Sequence, residues 1–103
     1  MNLIFLPPAA KFIKKIRDKE LKRKFQKTVD TIMEDPLIGE LKSGDLSGVR
    51  CCDIYHQRTS YELAYHVTYM DDEVVVIIMA GTRENFYEAL KPYWKRQKKR
   101  HSR

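Results

Sequence analysis

Two cysteines, four glycines and a single tryptophan in 103 residues leave little room for several familiar chemistries. Cys51 and Cys52 are neighbours, and in an extended strand they point to opposite faces, which is poor geometry for a bridge between them. Reduced thiols of this kind fit the cytoplasm. Neither a C-x-x-C pair nor a paired-histidine spacing is present, and no glycine-rich loop is available to cradle a nucleotide. No metal and no cofactor are therefore expected. Long hydrophobic runs are missing too: the longest, Val74 to Gly81, is far short of the roughly 20 residues a membrane helix needs. The amino end, "MNLIFLPPAAKF", has no basic start and runs at once into Pro7 and Pro8, unlike a secretory leader. A cytoplasmic protein without membrane contact is expected.

What is abundant is basic charge, and it is segregated. Residues 1–27 hold nine Lys/Arg against two acids, residues 28–90 hold four against twelve, and residues 91–103 hold seven against none. The ends are each +7 and the middle is −8. A polyanion such as RNA is drawn to such ends, because phosphate neutralisation dominates nucleic-acid affinity, although a charge run is often no more than a solvated face.

The chain is long enough for one domain and one core. "NLIFL" reads as a short strand stopped by two prolines, residues tolerated in a helix's first turn. Ala9, Phe12, Ile13 and Ile16 then recur at helical spacing, and Leu21, Phe25, Val29, Ile32 and Met33 form a second stripe. A helical hairpin broken near Asp18 to Glu20 follows, ended by Asp35-Pro36. "LIGELKSGDLSG" has loop composition. "VRCCDIYH" and "YELAYHVTY" read as strands joined by "QRTS". The alternation of the second puts Tyr61, Leu63, Tyr65, Val67 and Tyr69 on a core side and Glu62, Ala64, His66 and Thr68 on an open side. "EVVVIIMA" is the continuous β-branched run of a central strand, and a helix follows "AGTREN". The predicted class is α+β in the order β-α-α-β-β-β-α. Two amino-terminal helices pack on one face of a small, mainly antiparallel sheet, and a carboxy-terminal helix lies at its edge. The folded domain is expected over residues 1–94, with 95–103, "KRQKKRHSR", as a basic disordered tail.

That order, together with "LKSGDLSGVR", "YELAY" and "AGTRENFYEAL", resembles the RelE/ParE family of bacterial type II toxins over about 90 residues. The resemblance implies a cognate antitoxin as partner, in a toxin–antitoxin hetero-oligomer. For the RelE branch it implies ribosome-dependent, metal-independent cleavage of messenger RNA; for the ParE branch, binding to DNA gyrase without nuclease activity. A catalytically silent relative that acts as a binding module is a third reading, since fold alone does not choose function. Arg83 stands where the family's phosphate-binding arginine follows the last strand, and Tyr87 where many members carry a tyrosine or histidine that stacks on a base or donates a proton. Where RelE-like members place basic residues on the hairpin, this chain has Asp53, Tyr55 and Glu62.

Cutting RNA without a metal requires a base for the 2′-hydroxyl, a cation for the phosphorane and an acid for the leaving 5′-oxygen. Glu62, Arg83, and His66 or Tyr87 are the candidates in that order, against the plainer readings of solvated strand positions, an ion pair and a packing aromatic. Glu62 and His66 are four residues apart on one strand, about 13 Å at roughly 3.3 Å per residue, a gap a nucleotide could fill. Lys42, Arg50 and Arg58 in the middle, and Lys95, Arg96, Lys98 and Lys99 in the tail, are expected to grip ribosomal or messenger RNA. Cys51 and Cys52 are expected to be packing residues.

Overall fold

A computed structural model describes residues 2–69 and 71–101. Strand β1 (Asn2–Phe5) leads into helix α1 (Pro7–Lys15), with proline in its first turn and Leu6 as its N-cap. Helix α2 (Lys19–Glu34) starts where Asp18 turns its carboxylate on the amides of Glu20 and Leu21 (2.9 and 3.1 Å), so the break between the helices is a side-chain cap. The cap is also a tertiary contact, since Asp18 Oδ2 lies 3.0 Å from Nε2 of the buried His56.

Within the stretch expected to be loop, the chain forms a two-residue edge strand β2 (Glu40–Leu41) and a 3₁₀ turn (Gly44–Leu46). Both are too short for periodicity to reveal. Their geometry comes from tertiary contacts: Tyr65 Oη donates to Pro36 O (2.6 Å) and accepts from Gly39 N (2.9 Å), while Arg50 Nη1 donates to the carbonyls of Leu37 (3.0 Å) and Gly39 (2.9 Å). A Cβ on Gly39 would stand 2.7 Å from the Tyr65 ring, so glycine is required there by close approach.

Strands β3 (Arg50–His56), β4 (Thr59–Tyr69) and β5 (Glu73–Thr82) complete a five-stranded sheet in the order β1-β5-β4-β3-β2. All neighbours are antiparallel except β1 and β5. The β3–β4 connection is tighter than "QRTS" suggests: only Gln57 and Arg58 turn, both at positive φ, and Thr59 and Ser60 already pair. Helix α3 (Phe86–His101) closes the chain. The three helices and five strands agree with the predicted α+β class and its order, with β2 added.

The first core joins the helical hairpin to one sheet face through Phe25, Val29, Ile32, Ile54, Leu63, Tyr65 and Ile77, and it takes in the apolar stripes read from the sequence. The other face is not open. Ala64, Cys51 and Ile78 from the three central strands are buried there beneath Phe86, Leu90 and Trp94, so α3 lies across the face and not at its edge. Alternation shows which side chains share a face but not what covers them. A register shift between Ala64 and Tyr65 opposes two steps of β5 to one of β4, so Ile78 and Met79 both join the α3-side cluster. The expected tail also differs. Residues 95–101 continue α3, where positions 102 and 103 fall outside the described residues.

Candidate functional site

The site forms where β5 ends and α3 begins. Thr82 closes the strand, Arg83 N donates to Ser60 O (2.9 Å), and Phe86 N returns to Arg83 O (3.1 Å). Asn85 takes positive φ (62°), a conformation asparagine tolerates better than most residues, and turns the chain into α3. The turn leaves the Arg83 side chain 65% exposed while its Nε reaches to 3.8 Å from Glu62 Oε2. One helical turn later, Tyr87 Oη donates to Glu62 Oε1 (3.3 Å). Glu62 faces Gly81 on β5 and Asp53 on β3 in direct register.

The burial of Glu62 is the feature that sequence reasoning misjudged. Its side chain is 2% exposed, covered by Arg83 and Tyr87, where a solvated strand position was expected. Desolvation, followed by the hydrogen bond and charge of Asp53, pushes its pKa up to about 7, against the pull of Tyr87 and Arg83. Such a carboxyl exchanges its proton at neutral pH, as a group serving acid–base chemistry must. Tyr87 is raised to about 12, chiefly by burial, so its hydroxyl keeps its proton and acts as a donor. Lys42 completes the group: its Nζ lies 5.2 Å from the centroid of the Tyr87 ring and 2.6 Å from Glu40 Oε1, whose carboxylate raises the lysine's pKa. Cys51 beside Tyr87 is raised by burial to about 11, a neutral thiol unsuited to nucleophilic attack.

The expected residues thus divide. Arg83, Tyr87 and Glu62 come together, and Lys42 joins them. His66 does not: it lies under α3, its ring 4.8 Å from that of Trp94, so the Glu62–His66 gap is filled by protein and not by a nucleotide. Arg50 is engaged by two carbonyls of the loop, and Arg58 sits in the β3–β4 turn. Lys95, Arg96, Lys98 and Lys99 are exposed on α3, with Arg96 over Tyr93 and Lys98 over Trp94 (5.8 and 5.9 Å). A cavity of about 590 Å³ between α1 and α3 is lined by Lys11, Arg96 and Arg100 with Tyr93. Asp53 was missed as a participant, and the signal for it was its direct pairing with Glu62 once the two-residue turn sets the register. Among the described residues no three His, Cys, Asp or Glu side chains gather as a metal site, and no helix is long and apolar enough to cross a membrane.

The family described as ParE-like toxin of type II bacterial toxin–antitoxin system matches residues 3–91, from β1 into the first turns of α3. The chain belongs to that family. Its fold is that of E. coli toxin RelE: a free, arginine-substituted mutant of that toxin superposes with a TM-score of 0.70 at 23% identity, covering 92% of this chain and 95% of the other. The intact E. coli RelBE toxin–antitoxin complex matches with a TM-score of 0.58 at 26% identity over 78% of this chain and 93% of the other. The same RelE mutant bound to an antitoxin RelB peptide matches at 0.63 and 23% identity, over 86% and 93%. No curated protein matches. Likeness at this level establishes the fold, and the contents of the site are this chain's own.

Proposed function

We propose that this ParE-like toxin cleaves messenger RNA on the ribosome in the cytoplasm, without a metal. The observation that carries the reading is a buried carboxyl with a pKa near neutrality, touched on one side by an exposed arginine and on the other by a tyrosine hydroxyl. Arg83 binds the scissile phosphate and stabilises the charge that develops on it. Glu62, freed as Arg83 swings toward the phosphate, takes the 2′-hydroxyl proton. Tyr87, held as a donor, stacks on or protonates the leaving nucleotide, and Lys42 adds positive charge beside it. The basic face of α3, including Lys95, Arg96, Lys98 and Lys99, grips ribosomal RNA. A cognate antitoxin is the natural partner, as in the E. coli RelBE complex. The exposed edge strand β1, with Leu3, Ile4 and Phe5, gives such a partner apolar surface to cover.

The family match itself, with the near-complete burial of Glu62, favours a second reading, in which the same surface docks on a protein target such as gyrase and no RNA is cut. Mapping message 5′ ends shortly after induction separates the two. New ends within translated frames, reduced on the order of a hundredfold by Arg83→Ala in a protein that still folds, support cleavage. A DNA-damage response with no new ends supports the gyrase reading.

A further inference from the structure

Tyr55 is an aromatic side chain near the site that the proposed reaction does not use, and it is 63% exposed. Its neighbours on β3 turn to the hairpin side, Ile54 into that core and His56 to Asp18, so alternation puts Tyr55 on the α3 face with Cys51 and Asp53. Cys51 is buried there, but Asp53 and Tyr55 lie open to solvent. Tyr55 pairs with Ser60, and Ser60 O accepts the amide of Arg83 (2.9 Å), so the three residues form one row across β3, β4 and the end of β5. Two strand spacings set the backbones of Arg83 and Tyr55 about 10 Å apart. Glu62, diagonal to Tyr55 across the β3–β4 pair, is about 7–8 Å from it. Lys24 Nζ donates to Tyr55 O (2.8 Å), which fixes the backbone beneath the ring.

Charge divides this face in two. Arg83 stands on the β5 side of Glu62, and the exposed carboxylate of Asp53 on the β3 side. A phosphate is drawn to the first and turned away by the second. A further cation, Arg58, lies beyond Tyr55 in the two-residue turn. A nucleotide held by its phosphate on Arg83 therefore projects its base toward β3, over the small side chain of Ser60 and onto the exposed ring. We propose that Tyr55 is a base-stacking platform, a subsite for the base of a nucleotide next to the phosphate that Arg83 binds. The proposal rests on the reading of Arg83 as a phosphate ligand, but not on RNA being cut. Tyr87 lies toward the other end of β3: Lys42, whose amide donates to Val49 O (2.8 Å) just before that strand, stands 5.2 Å from the Tyr87 ring centroid. The two tyrosines thus bracket Glu62, and bases held on both sides keep the ribose between them at the carboxyl. Stacking on an aromatic face accepts any base, so the platform sets where the strand lies without choosing its sequence.

The test uses the whole chain and a 2′-O-methyl adenosine trinucleotide, which cannot be cut at its 2′ positions, beside the same backbone carrying no bases. The parent protein is expected to bind the trinucleotide, with the Tyr55 ring protons moving upfield in NMR as a base stacks on them. Tyr55→Ala weakens that binding by about 5- to 100-fold, while Tyr55→Phe, which keeps the ring, stays within about twofold of the parent. At low salt the baseless backbone keeps a weaker binding that Arg83→Ala removes and Tyr55→Ala leaves unchanged. Thermal melts of the Tyr55 variants match the parent, since this side chain belongs to neither core. Trinucleotide binding untouched by Tyr55→Ala, Tyr55→Phe as damaging as Tyr55→Ala, an equal loss on the baseless backbone, or no binding by the parent each overturns the platform. A ring that serves to dock a protein partner instead gives the first of these results. Message cutting is read separately from 5′ ends in cells. Absence of cutting with Tyr55-dependent binding defeats the cleavage reading alone, and cutting with Tyr55-independent binding defeats the platform alone.

Discussion

On the sheet face covered by α1 and α2, Phe25, Ile32, Leu63 and Ile77 are fully buried, and the polar atoms among them have partners: Tyr65 Oη makes two hydrogen bonds and His56 meets the cap of α2. On the face covered by α3 the apolar cluster is smaller, a titratable carboxyl is buried beside it, and Trp94 Nε1 is buried with no hydrogen-bond partner among the described residues. One sheet thus carries a face that satisfies its polar groups and a face that leaves an indole N–H unpaired among the described residues and a carboxyl desolvated. An unsatisfied buried donor and a desolvated carboxyl each cost free energy, and both lie on the α3 face, the carboxyl at the proposed site and the indole beside His66. The hairpin side is therefore expected to carry more of the stability than the α3 side.

The sharpest way to break that comparison is Phe25→Ala. This ring is fully buried and packs against Phe12 and Tyr61 at centroid separations of 5.8 and 5.9 Å, so its removal should cost about 3–5 kcal/mol in urea denaturation. A cost below about 1 kcal/mol would place the main core elsewhere.

The pH dependence of stability sharpens the contrast, because the two faces respond in opposite directions. The folded-state pKa of Glu62 is raised from 4.5 to about 7, so its contribution is fully present below about 4.5 and is lost as pH rises through 7. That of Asp18 is lowered from 3.8, first by its hydrogen bond to His56 and then by the backbone amide of Leu21, so its contribution is present above 3.8 and is lost as pH falls. Denaturation across a pH series should show Glu62→Gln flattening the decline between pH 4.5 and 7, and Asp18→Asn flattening the acid limb alone. Identical pH profiles for the two variants would erase the distinction between the faces.

The smallest effect is expected at Trp94→Phe. The change removes the unpartnered N–H along with part of the ring, and the two consequences oppose each other, leaving stability within about 1 kcal/mol of the parent. A thermal melt showing a loss as large as that of Phe25→Ala would mean that the indole N–H has a partner after all.

Much of the fold was legible because it is written in short-range periodicity. The stripes Ala9 to Ile16 and Leu21 to Met33 and the run from Val74 to Ile78 bury faces that their spacing already defines, and the prolines opening α1 and the break near Asp18 to Glu20 marked the helix ends. The sequence by itself also put Arg83 and Tyr87 at the end of the last strand. Three features were decided only by tertiary structure. Alternation separates Glu62 from Leu63 but is silent on whether a helix covers Glu62, and α3 does. The two-residue turn at Gln57 and Arg58 sets Asp53 opposite Glu62, a register that "QRTS" did not reveal. Charge composition marked 95–103 as a tail, yet α3 extends through His101, and Trp94 at its middle is buried against the sheet side of the helix. A residue's neighbours along the chain fix its direction, but whether a carboxyl ends in water or under an arginine and a tyrosine depends on groups more than 20 positions away in sequence, and the burial they impose is what raises its pKa.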